Sequence, residues 1–350
     1  EQKIRTGIIG FGLSGKVFHA PFLEHMKGFE LSKIVERHGD SSKEIYPHVT
    51  ILRDFQELIH DDDIDLVIIC TPNTLHYSMI KASLEAGKHV VVEKPFVPTS
   101  VEADELIQLS EDSACKIFVY QNRRWDSDFL TIQKLLDQRV LGDLLEYESH
   151  FDRYRPELPA NAWRDEDKPG GGVVYDLGSH LIDQALVLFG IPDAVFADIK
   201  AQRKESPVDD YFSIQLSYPS HTAILKAGMM VMESGPRFIL HGCKGSYVKY
   251  GLDPQEAALK NGLIPGTADW GRENEDQWGI LHYTREDGAD RIKQETLAGS
   301  YQRFYENVYD VLVNGSDMII TPQQARDVIR IIELSFESNA TREIRQIRKD

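Results

Sequence analysis

The chain has 350 residues, a formal net charge of −17, 41% hydrophobic residues and 27% charged ones. At about 150 residues per domain, this suggests two domains with ordinary globular cores. The acidic balance argues against a nucleic-acid partner, which needs a basic footprint.

The first third alternates between strand and helix signals. Ile4 to Ile9 reads as a short buried strand, and Gly15 to Met26 as a helix disturbed by Pro21. Glu30 to Val35 is a second strand. Ile64 to Cys70 is a third, broken by Thr71-Pro72-Asn73. Tyr77 to Ala86 reads as a helix ended by Gly87, and Val90 to Val92 as a strand stopped by Glu93-Lys94-Pro95. Ser100 is the expected cap of a helix with Ala103, Leu106, Ile107 and Leu109 on its apolar side. Ile117 to Tyr120 closes the series. Such alternation implies an α/β fold with parallel strands and right-handed crossovers.

Past residue 122 the rhythm changes. A helix is expected from Phe129 to Leu136, followed by longer strands with period-two patterning. Phe212, Ile214, Leu216 and Tyr218 share one face, with Ser213, Gln215 and Ser217 on the other. Thr222 to Met232 and Arg237 to His241 continue the pattern, which predicts a largely antiparallel sheet with one face covered. Helices near 304–313 and 323–335 end the chain. The domains are therefore expected over 1–122 and 123–350. No apolar run approaches the roughly 18 residues that cross a bilayer. Cys70, Cys115 and Cys243 are too scattered for a disulfide framework. With a strand signal already at Ile4, the expectation is a cytoplasmic protein without a signal peptide or membrane contact.

Gly10-Phe11-Gly12-Leu13-Ser14-Gly15 spells G-x-G-x-x-G between the first strand and the first helix. In that context it is a dinucleotide fingerprint: a tight turn, a close backbone approach to pyrophosphate, and tight helix–strand packing. The helix start offers free N–H groups to phosphate. Glu36, at the end of the second strand, suits the ribose hydroxyls of NAD, whereas Arg37 beside it suits the 2′-phosphate of NADP. Both cofactors remain open on these residues.

Lys94 follows a parallel strand, at the sheet edge that faces the ligand crevice. There it would bring positive charge to a developing alkoxide. After Gly170-Gly171-Gly172, Asp176 and His180 fall one helical turn apart, with Asp183 nearly in line. Histidine is the usual proton-transfer residue near neutral pH, and a carboxylate can orient it. Asp176, His180 and Asp183 have the chemistry of zinc ligands, but no second histidine or cysteine stands at helical spacing, so no metal is expected.

These motifs together resemble the Gfo/Idh/MocA family over nearly the whole chain: the Gly10 loop, Thr71-Pro72-Asn73 with His76, Glu93-Lys94-Pro95, and the Asp176/His180 pair. The segments 122–131, 150–156 and 247–251 are similar to the bacterial branch containing NADP-dependent scyllo-inositol dehydrogenase. The resemblance implies a Rossmann domain, then an α+β domain whose sheet builds a homodimer or homotetramer. It also implies hydride transfer between NAD or NADP and a secondary hydroxyl of a small sugar or cyclitol. By position, Lys94, Asp176 and His180 take the catalytic roles. Thr71, Pro72, Asn73, His76, Glu93, Lys94 and Asn122 line the cofactor along with the glycine loop. Trp163 and Arg164 join Asp176 and His180 on the substrate side. One departure is Glu36, since NADP-dependent relatives lack an acidic residue there. Arg153, Arg155 and Arg164 would suit an acidic substrate or make structural pairs. Two rival functions on the same fold are a cofactor-binding sensor without turnover and NAD-dependent cleavage of a glycosidic bond.

Overall fold

The computed structural model describes residues 3–158 and 168–347. It resolves into two compact units. One gathers the chain up to Asn122 with Gln255–Trp270 and Ser300–Arg326. The other gathers Arg123–Pro254, Gly271–Gly299 and the chain from Asp327. Two segments C-terminal to the change of rhythm at 122 thus cluster with the first unit.

The first unit contains β1 (Ile4–Ile9), β2 (Phe29–Val35), β3 (Thr50–Leu52), β4 (Leu66–Ile69), β5 (His89–Val92) and β6 (Ile117–Val119). They form one parallel sheet in the order β3-β2-β1-β4-β5-β6. Every residue of β4 is buried, as expected of a parallel strand covered on both faces. The order reverses between β1 and β4, the switch point where open α/β sheets bind ligands beyond the strand carboxyl ends. Gly10, Cys70 and Glu93 each extend a ladder by donating an N–H to the neighbouring strand, at 3.1, 2.9 and 3.1 Å. The loops that follow them therefore open at the same edge.

Two expectations are corrected here, and one stretch without an expectation proves structured. The helix expected from Gly15 to Met26 splits into a wide π turn, Gly15–His19, and an α segment, Ala20–His25, because Pro21 has no N–H and is tolerated only at a helix start. The helix Ser100–Ser113 is capped by Thr99, not Ser100: the Thr99 hydroxyl accepts from Glu102 N–H while Glu102 reaches back to the Thr99 N–H. Between β2 and β4 the chain forms β3 and the short helices Ser41–Ile45 and Phe55–Ile59, which the sequence reading missed. Elements of three to five residues are too short to show a period.

In the second unit β7 (Leu144–His150), β8 (Ala194–Lys200), β9 (Tyr211–Ser217), β10 (Thr222–Gly228), β11 (Phe238–Gly242), β12 (Gly245–Lys249), β13 (Gly279–Arg285), β14 (Gly288–Gln294) and β15 (Arg345–Gln346) form a second sheet. Its order is β14-β13-β12-β11-β7-β10-β9-β8-β15, and among the described residues every pairing is antiparallel except β10 with β7. β10 stops at Gly228, short of the expected Met232. Phe212, Ile214 and Leu216 are fully buried, and their face packs with Leu181 and Ile182 of the helix Ser179–Phe189 and with Ile329 and Ile332 of Pro322–Thr341. Among the described residues no helix is long and apolar enough to cross a membrane.

Loss of a Ser or Thr N-cap costs about 0.5–2 kcal/mol. Thr99→Ala should therefore lower unfolding free energy by about 1 kcal/mol in a denaturant titration, whereas Ser100→Ala should change it little.

Candidate functional site

The glycine loop follows β1 directly. Gly10 takes a φ of +92°, open to glycine alone at low cost, and an added Cβ would also sit 2.9 Å from the Cys70 carbonyl oxygen. A Cβ on Gly15 would lie 2.3 Å from the Gly10 carbonyl oxygen, so the turn and the helix behind it can close only on glycine. Gly12 differs: beyond its own chain neighbours nothing lies within 4 Å of its Cβ position. The fold needs the first and third glycines, and the second leaves open space at the loop surface. That is the cradle a pyrophosphate requires, so these residues fit a dinucleotide.

At the end of β2 the Glu36 carboxylate is buried and turned into the protein. It accepts from Ser42 N–H at 2.8 Å and from the Ser41 hydroxyl at 2.7 Å. Burial alone would push this carboxyl up, but the Ser42 and Ser41 hydrogen bonds outweigh it and hold it below the ordinary range. The Arg53 guanidinium donates to the Glu36 and Gly39 carbonyls at 2.9 and 2.6 Å, which fixes the turn. Arg37 is exposed on that turn.

The turn after β4 carries Thr71, Pro72 and Asn73. His76 lies buried beneath it, with Nε2 3.1 Å from the Thr71 carbonyl and Nδ1 2.9 Å from the Pro95 carbonyl. Its two ring nitrogens thus face carbonyls of the β4 and β5 loops, and burial pushes its pKa down. After β5, Lys94 is half-buried and joined to Pro95 by a cis peptide bond. The Glu93 carboxylate accepts from the Ser14 hydroxyl, from His19 Nε2 at 3.1 Å and from the Lys94 N–H at 3.1 Å. Burial would raise this carboxyl, but His19 and Ser14 bring it down to about 2. Asn122 ends the first segment of the unit, buried at the start of a short 3-10 turn. His19 and its partner Tyr305 were not singled out from the sequence. His19 stands one turn past Gly15, a spacing that could have flagged it, whereas nothing local marks Tyr305.

In the second unit Gly172, at φ +87°, passes so close to Asp209 that a Cβ would sit 2.1 Å from its carboxylate. Asp209 accepts from Val174 N–H at 2.8 Å through its side chain and from Val173 N–H at 3.0 Å through its carbonyl. Burial pushes its carboxyl up to about 6. The chain then makes a π turn, Val174–Gly178, before the helix Ser179–Phe189. Asp176 is half-buried on that turn, and His180 is buried at the helix start. Asp183 is engaged elsewhere. It binds Arg124 in a two-pronged ion pair at 2.7 and 2.9 Å, both side chains buried. Gln184 donates to the Arg123 carbonyl at 2.9 Å. Among the described residues no cluster of three metal-ligating side chains occurs. Trp163 and Arg164 lie outside the described residues.

Residues 4–121 match the Gfo/Idh/MocA description "Oxidoreductase family, NAD-binding Rossmann fold", and residues 133–346 match "Oxidoreductase family, C-terminal alpha/beta domain". The chain is 43% identical to the oxidoreductase YdgJ of Escherichia coli K12, covering 97% of each. It is 41% identical to scyllo-inositol 2-dehydrogenase (NADP(+)) IolW of Bacillus subtilis 168, covering 96% of this chain and 94% of IolW. The solved structure of yvaA from Bacillus subtilis shares a TM-score of 0.95 at 38% identity over 99% of both chains.

Substitutions in the loop should separate fold from ligand. Gly15→Ala is expected to destabilise the protein by more than 1 kcal/mol, since backbone must shift. Gly12→Ala should leave the melting temperature within a few degrees of the parent while weakening dinucleotide binding by tenfold or more, read by calorimetry.

Proposed function

From the chain's membership of the Gfo/Idh/MocA oxidoreductase family, we propose that it transfers a hydride between a nicotinamide dinucleotide and a secondary hydroxyl of a sugar or cyclitol. The oxidoreductase class and the NAD(P) requirement come with the family. The substrate and the roles below are our reading. One observation carries it: the ligand-ready glycine loop and Lys94 open at the same edge of the parallel sheet. The similarity to an enzyme named as a scyllo-inositol dehydrogenase supports the substrate class.

The dinucleotide would rest on the backbone of Gly10, Phe11, Gly12, Leu13, Ser14 and Gly15, with Thr71, Pro72, Asn73 and Asn122 along its length. When bound, it supplies the hydride donor or acceptor. Lys94 donates a hydrogen bond to the reacting oxygen and stabilises its negative charge as the hydroxyl proton leaves. His180 accepts that proton as general base and returns it in the reverse direction. Asp176 orients the site and binds a neighbouring hydroxyl. Trp163 and Arg164 complete the substrate side.

The cofactor is NADP in this reading. The Glu36 oxygens already serve the Ser41–Ile45 helix, while Arg37 stands exposed beside them, suited to a 2′-phosphate. Arg37→Ala should raise KM for NADP about tenfold or more and leave KM for NAD nearly unchanged. An equal effect on both cofactors would assign Arg37 a general role and sink the preference.

Positioned acid–base catalysis contributes about 10²–10⁴-fold. Assayed on a polyol panel by nicotinamide absorbance, His180→Ala and Lys94→Ala should each lower kcat by that order while dinucleotide affinity holds. Near-parental turnover in either variant would remove that residue from the chemistry.

A further inference from the structure

We propose that His19 and Tyr305 form a buried hydrogen-bonded chain that positions the Glu93 carboxylate and, through it, the backbone at Lys94. The inference rests on the reading of Lys94 given above. Tyr305 Oη lies 2.6 Å from His19 Nδ1, and His19 Nε2 lies 3.1 Å from Glu93 Oε1. Both side chains are fully buried.

The direction of the chain follows from what each group can do. A carboxylate only accepts, so His19 must carry its proton on Nε2. In the neutral ring Nδ1 then keeps a lone pair, to which the Tyr305 O–H donates. The phenol thereby selects the imidazole tautomer that Glu93 needs. The aromatic surroundings give the hydroxyl no other reason to be there. The Tyr305 ring stacks on Phe22 at 6.0 Å and meets Phe29 and Phe304 edge-on at 5.4 and 5.3 Å, contacts that phenylalanine would keep. Burying a hydroxyl in such a cluster is costly unless its hydrogen bond is used.

Glu93 converts this support into geometry at the site. One oxygen takes the Ser14 hydroxyl of the glycine loop together with His19, and the other takes the Lys94 N–H. A single fixed carboxylate thus ties the dinucleotide loop to the residue that meets the substrate oxygen. The groups that face it are Ser14, His19, Cys70, His76 and Lys94, with Tyr305 acting through His19.

The test uses Tyr305→Phe in the full-length protein, with Lys94→Ala alongside. Tyr305→Phe should keep its melting temperature within a few degrees and its dinucleotide KM within threefold. It should lose about 10- to 100-fold in kcat, the scale of an ångström-level misplacement. Glu93 accepts through both oxygens, and protonation would turn one of them into an O–H donor and break the set, so activity falls as pH drops through its pKa. A weaker donor raises that pKa, and the acid limb of the kcat profile should move to higher pH. Nitrogen-15 NMR of His19 in the parent protein gives a readout that needs no variant: the neutral ring carries its proton on Nε2 and leaves Nδ1 bare. An Nδ1–H tautomer, or parental kcat and pH profile in Tyr305→Phe, overturns the inference. If Lys94→Ala keeps parental turnover, the Lys94 reading falls first and takes this inference with it. Loss in Lys94→Ala beside an unchanged Tyr305→Phe strikes the inference alone.

Discussion

All six strands of the first sheet run the same way, and the placement of chemistry in that unit depends on this constraint. Parallel pairing forces every strand to finish at one edge, so the loops after β1, β4 and β5 open together although about 80 residues separate Gly10 from Lys94. In an antiparallel sheet the same loops would alternate between opposite edges. The reversal of order between β1 and β4 then leaves a crevice at the first loop. At that reversal β4 is wholly apolar and buried along its length, which leaves polar work to the loops.

Both units solve a similar local problem with similar means. A glycine at positive φ lets backbone pass close to a neighbour, and a π turn follows before the regular helix begins. Such widened turns are rare and frequent at functional sites. In the first unit the turn carries His19 toward Glu93. In the second it carries Asp176, one turn ahead of His180. The charges around them are settled by different partners. Glu93 is held ionised by donors from His19 and Ser14, while burial pushes the Asp209 carboxyl up to about 6. Asp183, which the spacing set beside His180, is neutralised by Arg124 and helps hold the helix in place.

What was legible in the sequence is what local signals encode. The glycine loop, the β-branched strands and the position of Lys94 after a strand depend on residues within a few positions of one another. The period-two pattern at Phe212, Ile214 and Leu216 likewise marked its buried face. What escaped depends on distant partners or very short elements. Nothing near Glu36 shows that its carboxylate would be taken up by Ser41 and Ser42, because the helix holding them spans five residues. Nothing near His19 points to Tyr305, and Arg124 and Asp183 meet across 59 positions. Hydrogen-bond partners chosen by topology leave no periodic trace.

The return of Ser300–Arg326 to the first unit bears on how the chain is made. Phe22, Phe29 and Tyr120 are synthesised early, but the rings that cover them, Phe304 and Tyr305, emerge about 180 residues after Asn122. At roughly 5–20 residues per second the delay is on the order of 10 to 40 s. Throughout that interval the nascent nucleotide-binding unit presents an uncovered aromatic surface on the ribosome, the kind of surface a chaperone holds. A fragment ended at Asn122 would carry the same surface permanently.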